Sequence, residues 1–173
     1  MSKPDLIDSL QWIRIFTPLH IPKYLVDQVR DREFSVEDFY KYQEKNCLIN
    51  TPQGQVLNPL NHLYVLANEG NIAKGFLWFT VDPLSKDINL NTFSMDKEYW
   101  GKGKAVSKLV KFIKDILEKS GLNKVFWVTN YPNHSMRHGF HRSRSVLMEF
   151  DPKKEILESD KIDESLEISK QII

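Results

Sequence analysis

The chain has 173 residues, enough for one domain with its own core and no need of disulfide or metal staples. Apolar residues make up 41% and charged residues 27%, which excludes collagen-like, mucin-like and wholly disordered chains. Lys plus Arg number 24 against 23 Asp plus Glu, and a formal charge of +1 argues against a protein that grips nucleic acid by neutralising phosphates.

At the start of the chain Asp5 and Asp8 interrupt any apolar run of the kind a signal peptide needs. No later stretch approaches the roughly 18 apolar residues of a membrane span. The expectation is a soluble, cytoplasmic protein that does not engage a membrane. Gln11 to Phe16 alternates and reads as a first strand, broken by Thr17-Pro18. Lys23 to Arg30 carries Tyr24, Leu25, Val26 and Val29 at helical spacing. Ser35 is a candidate N-cap, with Asp38 three residues on, for a second helix ending near Lys45. The single cysteine, Cys47, sits in no recognisable motif and has no partner for a disulfide. Asn50 to Asn61 is rich in Asn, Pro and Gly and reads as loop.

Strands follow. His62 to Ala67 and Ala73 to Val81 flank the turn Asn68-Glu69-Gly70-Asn71 and predict a hairpin. Asp87 to Met95 makes the third strand of a meander. After Gly103 the period changes: Val106, Leu109, Val110, Ile113, Ile116 and Leu117 mark one long helix to Lys119, stopped at Gly121. Lys124 to Thr129 is a short β-prone run, parallel to the strand before the helix by a right-handed crossover, and Val146 to Phe150 is another. The fold class is mixed α+β. The tail Asp151 to Ile173 holds seven acidic and four basic residues among Ile and Leu, and it is a candidate docking element.

Chemistry concentrates in Met95-Asp96-Lys97-Glu98-Tyr99-Trp100-Gly101-Lys102-Gly103-Lys104-Ala105, between a strand and a helix. Two glycines and an alanine let backbone approach a ligand closely, and the N–H groups of a helix start form an anion site with Lys102 and Lys104 beside it. The spacing is not that of a phosphate-binding Walker A loop, and Val106 stands at the third glycine position of a dinucleotide-binding turn. The segment resembles motif A of the GCN5-related N-acetyltransferases (GNAT), V-x-P-x-x-[Q/R]-x-x-G-x-[G/A]. Met95 takes the apolar strand-end place, Gly103 the central glycine and Ala105 the closing small residue. Trp100 stands where Gln or Arg is usual, Lys97 where proline is common, and Lys108 where leucine is usual. The element order and Gly139-Phe140 extend the resemblance over residues 11–150, leaving 151–173 as a separate tail.

The resemblance implies a GNAT-like sheet with flanking helices and acetyl-CoA held in a split between the third meander strand and Lys124–Thr129. Phe93, Ser94 and Met95 would pair with the pantetheine arm, and Gly101, Lys102, Gly103, Lys104 and Ala105 would hold the pyrophosphate. Trp100 and Asn130 would adjoin the cofactor. It implies transfer of an acetyl group to an amine of unknown acceptor by direct attack on the thioester. That reaction needs a base, donors at the carbonyl oxygen and an acid near the departing thiolate. The family's tyrosine acid is replaced here by Met136-Arg137-His138, so Tyr131 and Ser135 are the candidate substitutes, with Glu98, His134 or His138 as candidate bases. The alternative is a non-catalytic binding or structural protein of the same fold, or an adaptor that docks through its tail. His134, His138 and His141 lack a carboxylate or cysteine partner, so no metal is expected. Arg137, Arg142 and Arg144 make a basic segment suited to a CoA 3′-phosphate or an acidic substrate. Homo-oligomerisation is open.

Overall fold

The computed structural model describes residues 6–29, 32–101, 103–129 and 131–143. The chain divides into one unit over Met1–Phe140 and another over His141–Ile173, and the architecture is that of the first. Strand β1 (Gln11–Arg14) ends before the Phe16 limit that alternation marked, because Thr17 already caps a short 3-10 turn over Pro18–His20. Helix α1 (Lys23–Asp27) stops at Gln28, short of the expected Arg30. Its last turn tightens there, and the Gln28 side chain leaves for Ser94 and Met95. Helix α2 (Val36–Asn46) starts at Ser35, whose Oγ accepts from the Asp38 N–H at 3.0 Å, the cap its sequence indicated.

The segment read as loop from Asn50 is instead half hairpin. Strands β2 (Leu48–Thr51) and β3 (Gly54–Leu57) pair antiparallel, with Ile49 opposite Val56 and Leu48 opposite Leu57. The turn formers Pro52 and Gln53 sit at the tip, and Asn58 ties the base by donating its amide to the Asn46 carbonyl at 2.9 Å. Four-residue strands leave too little alternation to outweigh such turn residues.

The expected meander is β4 (Asn61–Ala67), β5 (Ala73–Val81) and β6 (Ile88–Met95). Helix α3 (Lys104–Ser120) follows, then β7 (Val125–Trp127), shorter than the run to Thr129, and α4 (Pro132–Arg137). The sheet order is β1-β4-β5-β6-β7, antiparallel throughout except for the parallel β6–β7 pair. This is the mixed α+β architecture. The expected strand Val146–Phe150 and the tail from Asp151 lie outside the described residues.

Period-2 patterning sends alternate side chains to opposite layers. On one face Leu63, Val65 and Phe76 pack with Leu25 and Val26 of α1 and Phe39 of α2. On the other Leu77, Phe79, Ile88 and Leu90 receive Leu109 and Ile113 of α3, whose apolar residues recur at three- and four-residue intervals. Gly75, in the central strand β5, is required by packing: a Cβ there would stand 2.3 Å from Met95 Sδ and 2.8 Å from the Ser94 carbonyl oxygen. Among the described residues no helix is long and apolar enough to cross a membrane.

Candidate functional site

The site begins where β6 and β7 part. They pair only at Ile88–Val125, Asn89–Phe126 and Leu90–Trp127, and β6 then continues to Met95 without β7 beside it. The register against β5 shifts at the same level: Phe79 faces Leu90 while Trp78 faces Thr92, so Asn91 is an extra, bulged residue. A bulge bends its strand and increases its twist, which turns the second half of β6 away from β7. The Asp96 N–H donates to the Lys74 carbonyl at 2.7 Å. By alternation, Ser94 and Thr92 also direct their backbone groups to β5, whereas Phe93 and Met95 direct theirs to the open side.

One of those open-side groups is taken. The Met95 carbonyl accepts from Trp100 Nε1 at 2.8 Å and from Gln28 Nε2, and a carbonyl oxygen has two lone pairs. Gln28 also donates to Ser94 Oγ at 2.9 Å, and Ser94 Oγ donates to the Leu25 carbonyl at 2.9 Å. The buried Ser94 thus fastens α1 to the end of β6, and Phe93 remains the open carbonyl.

Beyond Met95, Asp96 caps a 3-10 turn over Lys97–Tyr99, and the chain passes Gly101 and Gly103 into α3. Both glycines have positive φ, +80° and +66°, a region where a side chain is strained. Gly103 is the N-cap of α3 and brings no side-chain cap, and no acid sits in the first turn. The leading amides of Lys104 and Ala105 therefore have no intrahelical acceptor, and the positive end of the helix dipole is unopposed. Lys104 is exposed, while Ala105 packs on the cluster of Leu66, Met95 and Tyr99. Lys102 and Asn130 lie outside the described residues. Lys108, in the leucine place, sends Nζ to the Asp8 carbonyl at 3.4 Å; burial, with Lys111 adding to it, lowers its pKa.

Sequence reasoning did not assign His138 to this loop. A Cβ on Gly103 would lie 3.7 Å from its Cε1 and 3.8 Å from its Nε2, so the ring rests directly over the helix start. Its Nδ1 meets Ser107 Oγ at 3.4 Å, and the His134 ring lies 5.0 Å away, edge to face. A groove of about 420 Å³ opens beside it, lined by Ser107, Val110, Lys111, Lys114, Arg137 and His138. The 34 residues between Gly103 and His138 hide this pairing from any local motif.

The two hydroxyl candidates separate. Ser135 is buried and its Oγ donates to the Tyr131 carbonyl at 3.4 Å, an i−4 bond within α4. Tyr131 is the N-cap of α4, and the residue is 56% exposed. Of the candidate bases, Glu98 is in an ion pair with Lys74 at 2.9 Å. On the α1 side Tyr24 donates to Asp96 Oδ2 at 3.0 Å, and partial burial, then that carboxylate, pushes its pKa up to about 12. Cys47 is buried against Gln43, and burial pushes its thiol up to about 11, which leaves it protonated and unreactive.

A model of the acetyltransferase (GNAT) family matches residues 22–144. No sequence among curated proteins matches the chain. Among solved structures, a possible acetyltransferase from Clostridium difficile 630 is similar with a TM-score of 0.61 at 11% identity, over 82% of this chain and 97% of that one. A GNAT family N-acetyltransferase from Escherichia coli, in complex with CoA, gives 0.56 at 18% identity, over 82% and 72%. Glucosamine-6-phosphate N-acetyltransferase from Arabidopsis thaliana gives 0.56 at 13%, over 82% and 97%. At such identities the likeness is one of fold.

Proposed function

The chain belongs to the GNAT acetyltransferase family, and from that premise we propose that it binds acetyl-CoA along the open side of β6 and transfers the acetyl group to an amine. The observation that carries this reading is the junction of β6 and α3. A strand edge left unpaired by a bulge runs straight into an uncapped, glycine-flanked helix start. Such an edge accepts an amide-bearing arm as an added strand, and such a helix start accepts a diphosphate.

When bound, acetyl-CoA supplies an acyl thioester. Phe93 holds its arm through backbone groups, and the amides of Gly103, Lys104 and Ala105, with the Lys104 ammonium, hold the phosphates. Tyr131, the exposed hydroxyl, donates a proton on the departing-thiolate side. Tyr24, neutral at physiological pH and hydrogen-bonded to Asp96, stands with α1 on the acceptor side. The solved neighbours differ in their acceptors, and none of those acceptors is carried over to this chain.

A second reading, a binding protein without catalysis, is favoured by one feature: the Met95 carbonyl is saturated by Trp100 and Gln28. Thermal unfolding with acetyl-CoA, against Gly103→Trp as a blocked site, tests the donor site. At a hundredfold excess over Kd, binding adds about 2.7 kcal/mol, a midpoint rise of roughly 5–10 °C for a chain of this size. A rise that Gly103→Trp abolishes supports the donor site, and release of free thiol with an amine panel then separates enzyme from binder. No rise at millimolar acetyl-CoA overturns both readings of this site.

A further inference from the structure

We propose that the β2–β3 hairpin is a dimerisation element, on which a second copy of this chain adds its own β3 edge to edge. The hairpin is a two-stranded sheet by itself, outside the five-stranded one. Two strands alone are marginal in water and gain stability when further strands join them. All four residues of β3 are exposed, whereas β2 has Leu48 and Thr51 half-buried, so β3 offers the open edge. Exposed edges are normally guarded by charged side chains, prolines or bulges. This one is unguarded. Between Lys45 and Glu69 lie 23 residues without a charged side chain, in a chain where charged residues make up 27%. Pro52, the one proline of the hairpin, sits at its tip.

Register decides the occupant. The Asn58 N–H donates to the Cys47 carbonyl at 2.9 Å, and bonded and non-bonded pairs alternate along an antiparallel ladder. Ile49–Val56 is therefore a bonded pair, while Leu48–Leu57 and Asn50–Gln55 are not. Gln55 and Leu57 thus turn their backbone N–H and C=O groups to the open side of β3. A second β3, antiparallel and related by a two-fold axis at Val56, sets Gln55 opposite Leu57 of the copy and Leu57 opposite its Gln55. Both pairs exchange backbone hydrogen bonds, and Val56 meets Val56 of the copy at the closer, non-bonded spacing. Ile49 and Val56 are exposed and share a face, so the four-stranded sheet carries one apolar row: Ile49, Val56 and the same two residues of the copy. The edge is complementary to itself, and with no charge on it the copies do not repel. A strongly charged partner finds no group here to pair with. An isologous contact of this kind closes as a dimer. The hairpin's base adjoins the start of β4, whereas the candidate site lies at the end of β6, which runs in the same direction as β4. The contact and the candidate site are therefore at opposite ends of the sheet.

The test is analytical ultracentrifugation of the full chain over a wide dilution series, with Val56→Lys and Val56→Glu made separately. The expected result for the parent is a reversible monomer–dimer equilibrium with no larger species. Each variant alone sets like charges opposite each other at the axis and should lose the dimer, and an equimolar mixture of the two should regain it. Val56 is exposed and belongs to no core cluster, so circular dichroism should show both variants folded like the parent. Val56→Cys keeps a small side chain and should form a covalent dimer under oxidised glutathione, because the non-bonded spacing suits a disulfide and Cys47 is buried. A parent that is monomeric at every concentration overturns the proposal. So does a Val56→Lys protein that stays dimeric, or a mixture that stays monomeric, since neither fits pairing at Val56. Absence of the covalent dimer, or species that grow beyond a dimer, overturns the closed two-fold contact as well.

Discussion

Trp100 hydrogen-bonds back across its own loop to Met95, its Nε1–H donating to the carbonyl oxygen at 2.8 Å. This explains what a tryptophan does in a place where the motif usually has Gln or Arg. The residue, 41% exposed, supplies an N–H donor and a flat ring at the end of the open strand. It also sets a competition. Any ligand amide that pairs with β6 as far as Met95 must displace either Trp100 or Gln28. Trp100→Phe keeps the ring and removes the donor, and it is expected to tighten acetyl-CoA binding by about two- to tenfold, the worth of one neutral hydrogen bond. Titration calorimetry checks this. Weaker binding would show instead that the indole N–H contacts the ligand.

Gly75 is the hidden determinant of the same strand end. Substitution by alanine drives a Cβ into Met95 Sδ at 2.3 Å and towards the Ser94 carbonyl oxygen at 2.8 Å. The thioether can swing aside, but the backbone oxygen of the paired strand cannot. Gly75→Ala should cost roughly 1–3 kcal/mol, the usual range for overpacking. Because β6 must shift, it should also weaken acetyl-CoA binding. A urea midpoint equal to the parent's would show that the sheet absorbs the methyl without moving β6.

Much of the fold was legible because its elements are long or end on strong signals. The stripe from Leu109 to Leu117, the Ser35 cap and the turn at Asn68–Asn71 each act through neighbours in sequence. The candidate loop stood out for the same reason, since strand end, glycines and helix start are contiguous. What stayed hidden is set by partners far along the chain. The β2–β3 hairpin has only four residues per strand, the occupancy of the Met95 carbonyl depends on Gln28 from α1, and His138 meets Gly103 through tertiary packing alone. No local pattern encodes those three.

Stability should depend on pH through His62. Burial lowers its pKa and the nearby Arg14 lowers it further, against a hydrogen bond from its Nε2 to the Pro59 carbonyl at 2.8 Å. Its Nδ1 is buried without a partner, and Tyr64 and Phe79 stack close to the ring. The native state therefore holds His62 neutral, while the unfolded chain takes up a proton near pH 6.5. The unfolded state binds more protons below that point, so stability falls as pH drops through about 6.5 and levels off below the native pKa. The urea midpoint should fall between pH 7.5 and 5.5, and His62→Phe, which keeps the stack, should flatten that slope. An unchanged slope would place the titrating group elsewhere.

Tyr131 and Ser135 differ in a way that kinetics can separate. Ser135 is buried with its hydroxyl on the Tyr131 carbonyl, so Ser135→Ala removes a bond inside α4. It should lower the thermal midpoint and leave kcat of the folded enzyme close to the parent's. Tyr131 is exposed, and its backbone N–H is held by Thr129 Oγ1 at 3.0 Å, so its position does not depend on its own hydroxyl. Tyr131→Phe should therefore keep the fold and lower kcat by about a hundredfold or more, the worth of a positioned general acid. KM for acetyl-CoA should change little if the phenol acts, as proposed, on the departing thiolate rather than on the bound arm. An acceptor with a lower amine pKa would not rescue that loss, whereas a thioester with a better leaving group would, since only the latter needs less help from an acid. Full activity in Tyr131→Phe would leave thiolate protonation to solvent.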